Sequence, residues 1–471
     1  MNDQKAALGM IGLGVMGRNL LLNIADHGFS VVGYDRNQEK VDALREEGES
    51  ALVKAVNTVE EMLNALARPR LVMLLVPAGA PVDAVIEEIA PHLAEGDTLI
   101  DGGNSHFTDT DRRQKALAEK GLSFLGVGVS GGEYGARHGP SIMPGGDREA
   151  YERIAPILEA AAARVEDEPC VTWLGPGSAG HFVKMVHNGI EYGLMELIAE
   201  SYDLMKRGLG LSNAELASVY RRWNEGPLAS FLVEITARIF TRQDDRSEAD
   251  LIDRILDAAR QKGTGMWTSQ DSLELQVPAP VIDMAVMMRD LSAQTDERAG
   301  ASKLFQGPSA TIDARADEVI SHLENALLSA FLITYAQGMA LLQRASEKHN
   351  YGLKLEEVAR IWRGGCIIRA ALLENIRAAY HERADLPNLL LAPPIAQKVG
   401  AHQAALRETV QTMAARGIPA AGLMAALAYL DGYRSGRLPT NLIQAQRDFF
   451  GSHTYERIDV KGPFHTEWTR G

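Results

Sequence analysis

Four polar side chains in one short stretch carry the first chemical signal. In GHFVKMVHNGIEYGLMELIAE, which starts at Gly180, Lys184, His187, Asn188 and Glu191 stand at i, i+3, i+4 and i+7. At about 100° per residue, a helix gathers the four within an arc of about 100°. Val183, Val186, Ile190, Leu194 and Leu197 fall on an adjoining arc and are expected to seat the helix in a core. A base and an acid on one face could move protons at two carbons of one bound molecule. Spacing alone leaves a second reading level with this one: a solvated stripe with a Lys–Glu pair. Such a stripe favours more Lys, Glu and Arg, and has no need of His–Asn beside a glycine.

A second constellation lies near the N-terminus. Gly12, Gly14 and Gly17 have the G-x-G-x-x-G spacing, after the apolar run Ala7–Ile11 and before the helical run Arg18–His27. Glycines there permit a tight turn, and the helix N-terminus offers amide donors to a pyrophosphate. Gly12, Leu13, Gly14, Val15, Met16 and Gly17 are therefore candidate dinucleotide contacts. Asp35 closes the next apolar run 18 residues after Gly17, followed by Arg36 and Asn37. An acidic residue at this point suits a ribose 2′-hydroxyl, whereas an arginine suits a 2′-phosphate.

These groups need elements to position them. Up to about residue 175, apolar runs (Ala7–Ile11, Ser30–Tyr34, Leu71–Val76, Thr98–Ile100, Ser123–Gly128) alternate with amphipathic stretches such as Asn37–Glu47 and Val82–Leu93. That alternation predicts a parallel, doubly wound α/β sheet of the Rossmann type over residues 1–177. Helical patterns then dominate: Phe182–Lys206, Asn213–Phe240, Ala249–Lys262, Thr311–Lys348, Lys354–Ile376, Ala401–Met413 and Ala420–Leu430. They predict a large all-helical domain over 178–434. Residues 435–471 are rich in Gly, Pro and aromatics and read as an extended tail without helical period. Its aromatics (Phe449, Phe450, Tyr455, Phe464, Trp468) suit docking better than disorder.

Composition bounds the rest. The 471 residues are ample for a large core, with 46% hydrophobic and 23% charged residues. A net charge of −14 argues against nucleic-acid binding but leaves room for an anionic ligand held by a local cationic cluster. No stretch is read as a membrane span, and the glycine turn stands where a signal-peptide cleavage site would fall. Cys170 and Cys366 read as buried thiols of a reducing compartment, so a cytoplasmic location is expected. Two cysteines and no His/Cys cluster argue against a structural zinc, and no metal site is expected.

With these features placed, the chain resembles the decarboxylating 6-phosphogluconate dehydrogenases of the long, homodimeric form. The resemblance runs from the glycine loop to the tail. Its markers are DGGNS at Asp101–Ser105, VSGGEYGARHGPSIMPGG at Val129–Gly146, the helix face, KGTG at Lys262–Gly265, Arg289, and NLIQAQRDFFGSHTYER at Asn441–Arg457. Each alone has a bland alternative, such as an ordinary turn or a solvated charge, but the ordered set does not. The resemblance implies oxidation and decarboxylation of 6-phosphogluconate to ribulose 5-phosphate, in the pentose phosphate pathway and gluconate utilisation. It implies Lys184 as general base and Glu191 as general acid. Asn104 would lie between nicotinamide and substrate. Ser130, Gly131, Gly132, His187 and Asn188 would hold the carboxylate and hydroxyls. Tyr192, Lys262 and Arg289 would hold the phosphate, with Arg447 and His453 reaching in from the partner subunit. Val76, Pro77 and Ala78 match the cofactor loop.

A free lysine has a pKa of about 10.4, so Lys184 must be neutralised by burial and neighbouring cations to act as base. Three departures from the family pattern stand out. Met266 precedes Trp267 where the family has Lys–Trp, Pro77 replaces a common lysine, and Asp35-Arg36-Asn37 stands where NADP-preferring members have Asn-Arg-Ser or Asn-Arg-Thr. NADP is the family expectation, whereas Asp35 argues for NAD or for use of both. Two rivals remain. A β-hydroxyacid dehydrogenase would be shorter and lack the KGTG and RDFFGSH segments, and a non-catalytic dinucleotide sensor would not need both Lys184 and Glu191.

Overall fold

The computed structural model describes residues 5–48, 51–261 and 263–468, so Lys262 lies outside the described residues. Seven strands make one sheet: β1 (Leu8–Ile11), β2 (Val31–Tyr34), β3 (Val53–Ala55), β4 (Leu71–Leu74), β5 (Thr98–Asp101), β6 (Ser123–Ser130) and β7 (Ser141–Gly146). Their order is β3-β2-β1-β4-β5-β6-β7. β1, β2, β4 and β5 are buried at all four positions, as expected of parallel strands covered by helices on both faces. Chain order reverses between β1 and β4, which opens a crevice at the carboxyl ends of those strands.

The sheet is not wholly parallel. β7 pairs antiparallel with β6 along six residues, from Leu125 opposite Gly146 to Ser130 opposite Ser141. Neither β7 nor β3 is anticipated by the sequence reading. In β7 the run Pro144-Gly145-Gly146 looks like a turn, but an edge strand tolerates a proline that cannot donate to the ladder.

Beyond the sheet the chain is helical, as expected, with different boundaries. The helix Ala179–Asp203 runs 25 residues and continues into a π-helical turn at Leu204–Gly208. The pattern read as Asn213–Phe240 is two helices, Asn213–Trp223 and Phe231–Ile239, because Gly226-Pro227 cannot continue a helix and Ser230 caps the second. Lys354–Ile376 likewise divides, at Gly364–Gly365, into Leu355–Ile361 and a helix from Leu372 to Glu382. Of the stretch read as Ala249–Lys262, the described residues 249–261 form no α-helix and hold a 3-10 turn, Leu251–Arg254. Three helices go unread, Thr264–Glu274, Pro280–Ser292 and Thr295–Leu304.

One exclusion needs correction. The helix Ala316–His349 is long and apolar enough to cross a membrane by length and composition, yet 89% of its most apolar window is buried inside the protein. It is apolar all round because helices pack on every side of it.

The tail also differs from expectation. Thr440–Gly451 is a helix, and Tyr455–Glu456 pairs antiparallel with Pro463–Phe464. Leu442, Ile443, Phe449 and Phe450 stand at i, i+1, i+7 and i+8, which is helical spacing hidden between Pro439 and Gly451. Asp448 ties the segment together. Its carboxylate accepts from the amides of Thr454 (2.9 Å) and Thr466 (3.0 Å) and from Trp468 Nε1 (2.8 Å), and lies 2.9 Å from His465 Nδ1.

Candidate active site

Glycines decide where the Lys184 helix sits. A Cβ on Gly180 would stand 2.2 Å from Met143 O and 2.4 Å from Gly126 O, so only hydrogen lets the helix reach β6 and β7. Gly128, two residues along β6 from Gly126, shares its face. A Cβ there would stand 2.4 Å from Lys184 Cβ. The lysine stem therefore lies flat on the strand, and its amine is carried toward the end of β6, where Ser130 stands.

The four helix residues meet as the spacing predicts. Lys184 Nζ donates to Asn188 Oδ1 at 2.6 Å and lies 3.3 Å from His187 Nδ1. His187 Nε2 is 3.2 Å from Ser130 Oγ, and Asn188 Nδ2 donates to Thr264 Oγ1 at 2.8 Å. Glu191 Oε2 is 3.8 Å from His187 Nδ1. One imidazole nitrogen thus stands between the amine and the carboxyl. The solvated-stripe reading is overturned by burial: Lys184 is 5% exposed and His187 0%. All five residues of the adjoining arc are buried, as expected.

Burial also sets the protonation states. It lowers the Lys184 pKa from the ordinary lysine value, with Glu191 pulling the other way. It holds His187 far below its usual range, helped by the adjacent lysine, so the imidazole is neutral. It raises the Glu191 carboxyl, against the pull of Lys184 and Arg289. A base moved toward neutrality and an acid moved toward protonation are the states that proton transfer in both directions requires.

The DGGNS turn closes one side. Asn104 has φ +56°, a left-handed conformation that asparagine tolerates. Its side chain is pinned to β6, accepting from Val129 N at 3.0 Å and donating to Val129 O at 3.3 Å. Ser105 Oγ donates to Asp101 Oδ2 at 2.6 Å, and the buried Arg113 donates to Ser105, Asp83 and Gly79 O. His181 Nε2 lies 3.0 Å from Asp101 O, which joins this turn to the Lys184 helix. Gly131 and Gly132 follow β6 with φ +120° and +62°. A Cβ on Gly131 would stand 2.5 Å from Gly365 O, and a Cβ on Gly365 would stand 2.5 Å from Pro140 C, which explains the glycine break in the region read as Lys354–Ile376.

The Arg289 guanidinium lies over the Tyr192 ring, 3.6 Å from its centroid. Gly265 admits that ring: a Cβ would stand 2.3 Å from Tyr192 Cδ2. Met266 points outward as an exposed residue. Arg447 and His453 make contacts inside the tail, Arg447 with Gln444 Oε1 at 3.1 Å and His453 edge-on to Phe450.

The glycine loop fits a dinucleotide. Gly12 (φ +100°) lies against Leu75 O, and Gly17 is so close to Gly12 O that a Cβ would stand 1.9 Å away. Gly14 has open space instead and begins the helix Val15–Asp26, whose first turn has no side-chain cap and no acidic residue. Its amides are left for an anionic ligand. A cleft beside the loop is lined by Gly12, Asp35, Arg36, Lys40, Val76 and Pro77. Asp35 Oδ2 accepts from Leu13 N (2.8 Å) and Lys40 Nζ (3.3 Å), and Oδ1 accepts from Asn37 N (2.9 Å).

Several contributors escape the sequence reading. Thr264 Oγ1 anchors Asn188, Trp362 meets His187 edge-on at 5.7 Å, and Arg113 braces the DGGNS turn. The one signal that could have found part of this is glycine at period two, Gly126 and Gly128, in an otherwise apolar strand.

Known proteins are similar to this chain along nearly its whole length. Residues 7–175 match the family model for the NAD binding domain of 6-phosphogluconate dehydrogenase, and residues 180–468 match that for its C-terminal domain. The NADP(+)-dependent, decarboxylating 6-phosphogluconate dehydrogenase of Bacillus subtilis is 50% identical over 467 residues, covering 99% of this chain and 100% of that one. The decarboxylating enzyme of Synechococcus elongatus is 51% identical over 464 residues, covering 98% of each. Plasmodium falciparum 6-phosphogluconate dehydrogenase, solved apo, with NADP+ and with 6-phosphogluconate, superposes with a TM-score of 0.95 at 45% identity, covering 98% of this chain and 100% of that one. The chain belongs to the decarboxylating 6-phosphogluconate dehydrogenase family.

Proposed function

We propose that the chain oxidises and decarboxylates 6-phosphogluconate to ribulose 5-phosphate and carbon dioxide. The observation that carries this reading is the buried Lys184, its pKa lowered by burial, with the raised carboxyl of Glu191 two turns along the same helix face. A bound nicotinamide dinucleotide supplies the hydride acceptor.

Lys184 Nζ takes the proton of the 3-hydroxyl as carbon 3 loses its hydride. The resulting ammonium hydrogen-bonds the new carbonyl, and the β-keto acid releases its carboxylate as carbon dioxide. Lys184 returns its proton to the enolate oxygen, which leaves an enediol. Glu191 then protonates the substrate's former carbon 2, which becomes carbon 1 of the product, while Lys184 takes back the hydroxyl proton. Passage of that proton from Lys184 to Glu191 resets the pair, and His187 Nδ1, within 3.8 Å of both, stands between them. Asn188 holds the amine in place by its 2.6 Å hydrogen bond.

The remaining site residues take roles by chemistry and family match. Asn104 separates nicotinamide from substrate. Ser130, Gly131, Gly132, His187 and Asn188 bind the carboxylate and hydroxyls. Tyr192 and Arg289 bind the phosphate, with Lys262 as a further cation. A guanidinium suits a phosphate because it can donate two parallel hydrogen bonds.

Arg447 and His453 are assigned to the site of a second copy, which makes the enzyme a homodimer with shared active sites. The exposed apolar side chains of the tail helix, Leu442, Ile443, Phe449 and Phe450, support that assignment, because single monomers rarely leave such a patch bare. Cys170 and Cys366 are free and buried, which suits a reducing cytoplasm. Purified protein given 6-phosphogluconate and either dinucleotide is expected to release carbon dioxide and ribulose 5-phosphate in step with nicotinamide reduction. Reduction without carbon dioxide would overturn the decarboxylase reading.

A further inference from the structure

The cleft beside the glycine loop holds two ion pairs, and its net charge bears on which dinucleotide it accepts. Arg36, just beyond the end of β2, is paired with Glu88, which comes from the helix Ala80–Ile89 across the cleft. Lys40 is paired with Asp35 at 3.3 Å. Asp35, Arg36, Lys40 and Glu88 all line the same cleft, together with Tyr34. Burial raises the Tyr34 phenol pKa, and the Glu88 and Asp35 carboxylates push it further up.

Both cations that could meet a 2′-phosphate therefore already have a carboxylate partner. Asp35 is committed to its surroundings, since three donors occupy its two oxygens: Leu13 N, Asn37 N and Lys40 Nζ. A carboxylate offers about four acceptor positions, so one remains for a ribose hydroxyl. A ribose can dock without disturbing either pair. A 2′-phosphate adds about two negative charges and must draw Arg36 away from Glu88 while both carboxylates stay nearby.

We propose that Glu88 is a specificity-determining residue: by holding Arg36 across the cleft, it weakens binding of a dinucleotide bearing a 2′-phosphate relative to one without. Glu88 acts through Arg36 and need not touch the cofactor itself. It lies outside the glycine loop and the Asp35-Arg36-Asn37 segment, so its influence comes only from the way the helix Ala80–Ile89 faces β2. The pair is largely solvent-exposed, so its effect is modest and weakens with salt.

The proposal rests on the dinucleotide reading of this cleft, and the test separates the two. Calorimetry on the full-length protein with 2′,5′-ADP and with 5′-AMP reads the cleft without turnover. Glu88→Gln, which keeps the side chain's shape, is expected to shift the ratio of the two Kd values toward 2′,5′-ADP by about three- to tenfold at low salt. In an Arg36→Ala background the same substitution is expected to shift that ratio by less than about twofold. An unchanged ratio in Glu88→Gln, or an equal shift with and without Arg36, would overturn the role of Glu88. Failure of the wild-type protein to bind either nucleotide would overturn the dinucleotide reading itself. Asp35→Asn serves as the independent comparison, because it removes the other carboxylate and leaves the Arg36–Glu88 pair intact.

Discussion

Two helices of this protein carry assigned site residues in opposite circumstances. The helix Ala179–Asp203 buries 18 of its 25 residues, and its polar groups find partners on β6, on Thr264 and on each other. The helix Thr440–Gly451 buries one residue, Asp448, and leaves its apolar side chains in solvent. The first helix is positioned by its own chain down to the last ångström, through glycines that admit it onto the sheet. The second is held in shape by Asp448, and its apolar side chains stay largely exposed even where Phe449 meets Trp468 and Phe450 meets His453 within the tail. Side chains that do chemistry can be placed by intramolecular packing or left for an intermolecular contact to place. On the reading proposed above, this chain uses the first means for Lys184 and the second for Arg447 and His453.

The largest expected effect tests the second means. Deleting residues 436–471 is expected to abolish turnover and to weaken dimerisation, measured by steady-state assay and analytical ultracentrifugation. A fully active truncated monomer would show that the tail contributes nothing to a neighbour's site.

The next effect tests the chemistry of the buried face. Lys184→Ala and Glu191→Ala are each expected to lower kcat by about two to four orders of magnitude, with dinucleotide affinity nearly unchanged. Near-normal turnover in Lys184→Ala would place the base elsewhere. The pH dependence sharpens this. Lys184 must be neutral, so activity rises as pH climbs through a pKa that burial has lowered. Glu191 must be protonated, so activity falls as pH climbs through a pKa that burial has raised. The slow residual activity of Glu191→Gln is therefore expected to rise with pH to a plateau, without the alkaline fall of the wild type. An unchanged bell in that variant would remove Glu191 from the titration.

The smallest expected effect tests the close approach that places the lysine. Gly128→Ala puts a methyl group 2.4 Å from Lys184 Cβ, so either helix or strand must move. Overpacking of this kind costs about 1–3 kcal/mol, read as a lower Tm or denaturation midpoint. The displaced amine is expected to lower kcat as well, by about tenfold or more. A variant with wild-type stability and turnover would show that the contact relaxes without consequence.

The sequence by itself determined the alternation of strand and helix, the glycine loop, the helical second half and the shared face of Lys184, His187, Asn188 and Glu191. These follow from periodicity and turn chemistry, which act over a few residues and leave their mark locally. Tertiary structure decided the rest. Whether that face was a solvated stripe or a buried cluster depended on Gly126 and Gly128 meeting Gly180, which lies far from them in sequence and matters only when brought to the strand. The antiparallel edge strand β7 was hidden because Pro144 is tolerated only where no neighbour demands its missing N–H. Asp35 and Arg36 were legible as candidate cofactor contacts, but the pairing of Arg36 with Glu88, 52 residues away, was not. Charge is written in the sequence, whereas the partner that neutralises it is chosen by the fold.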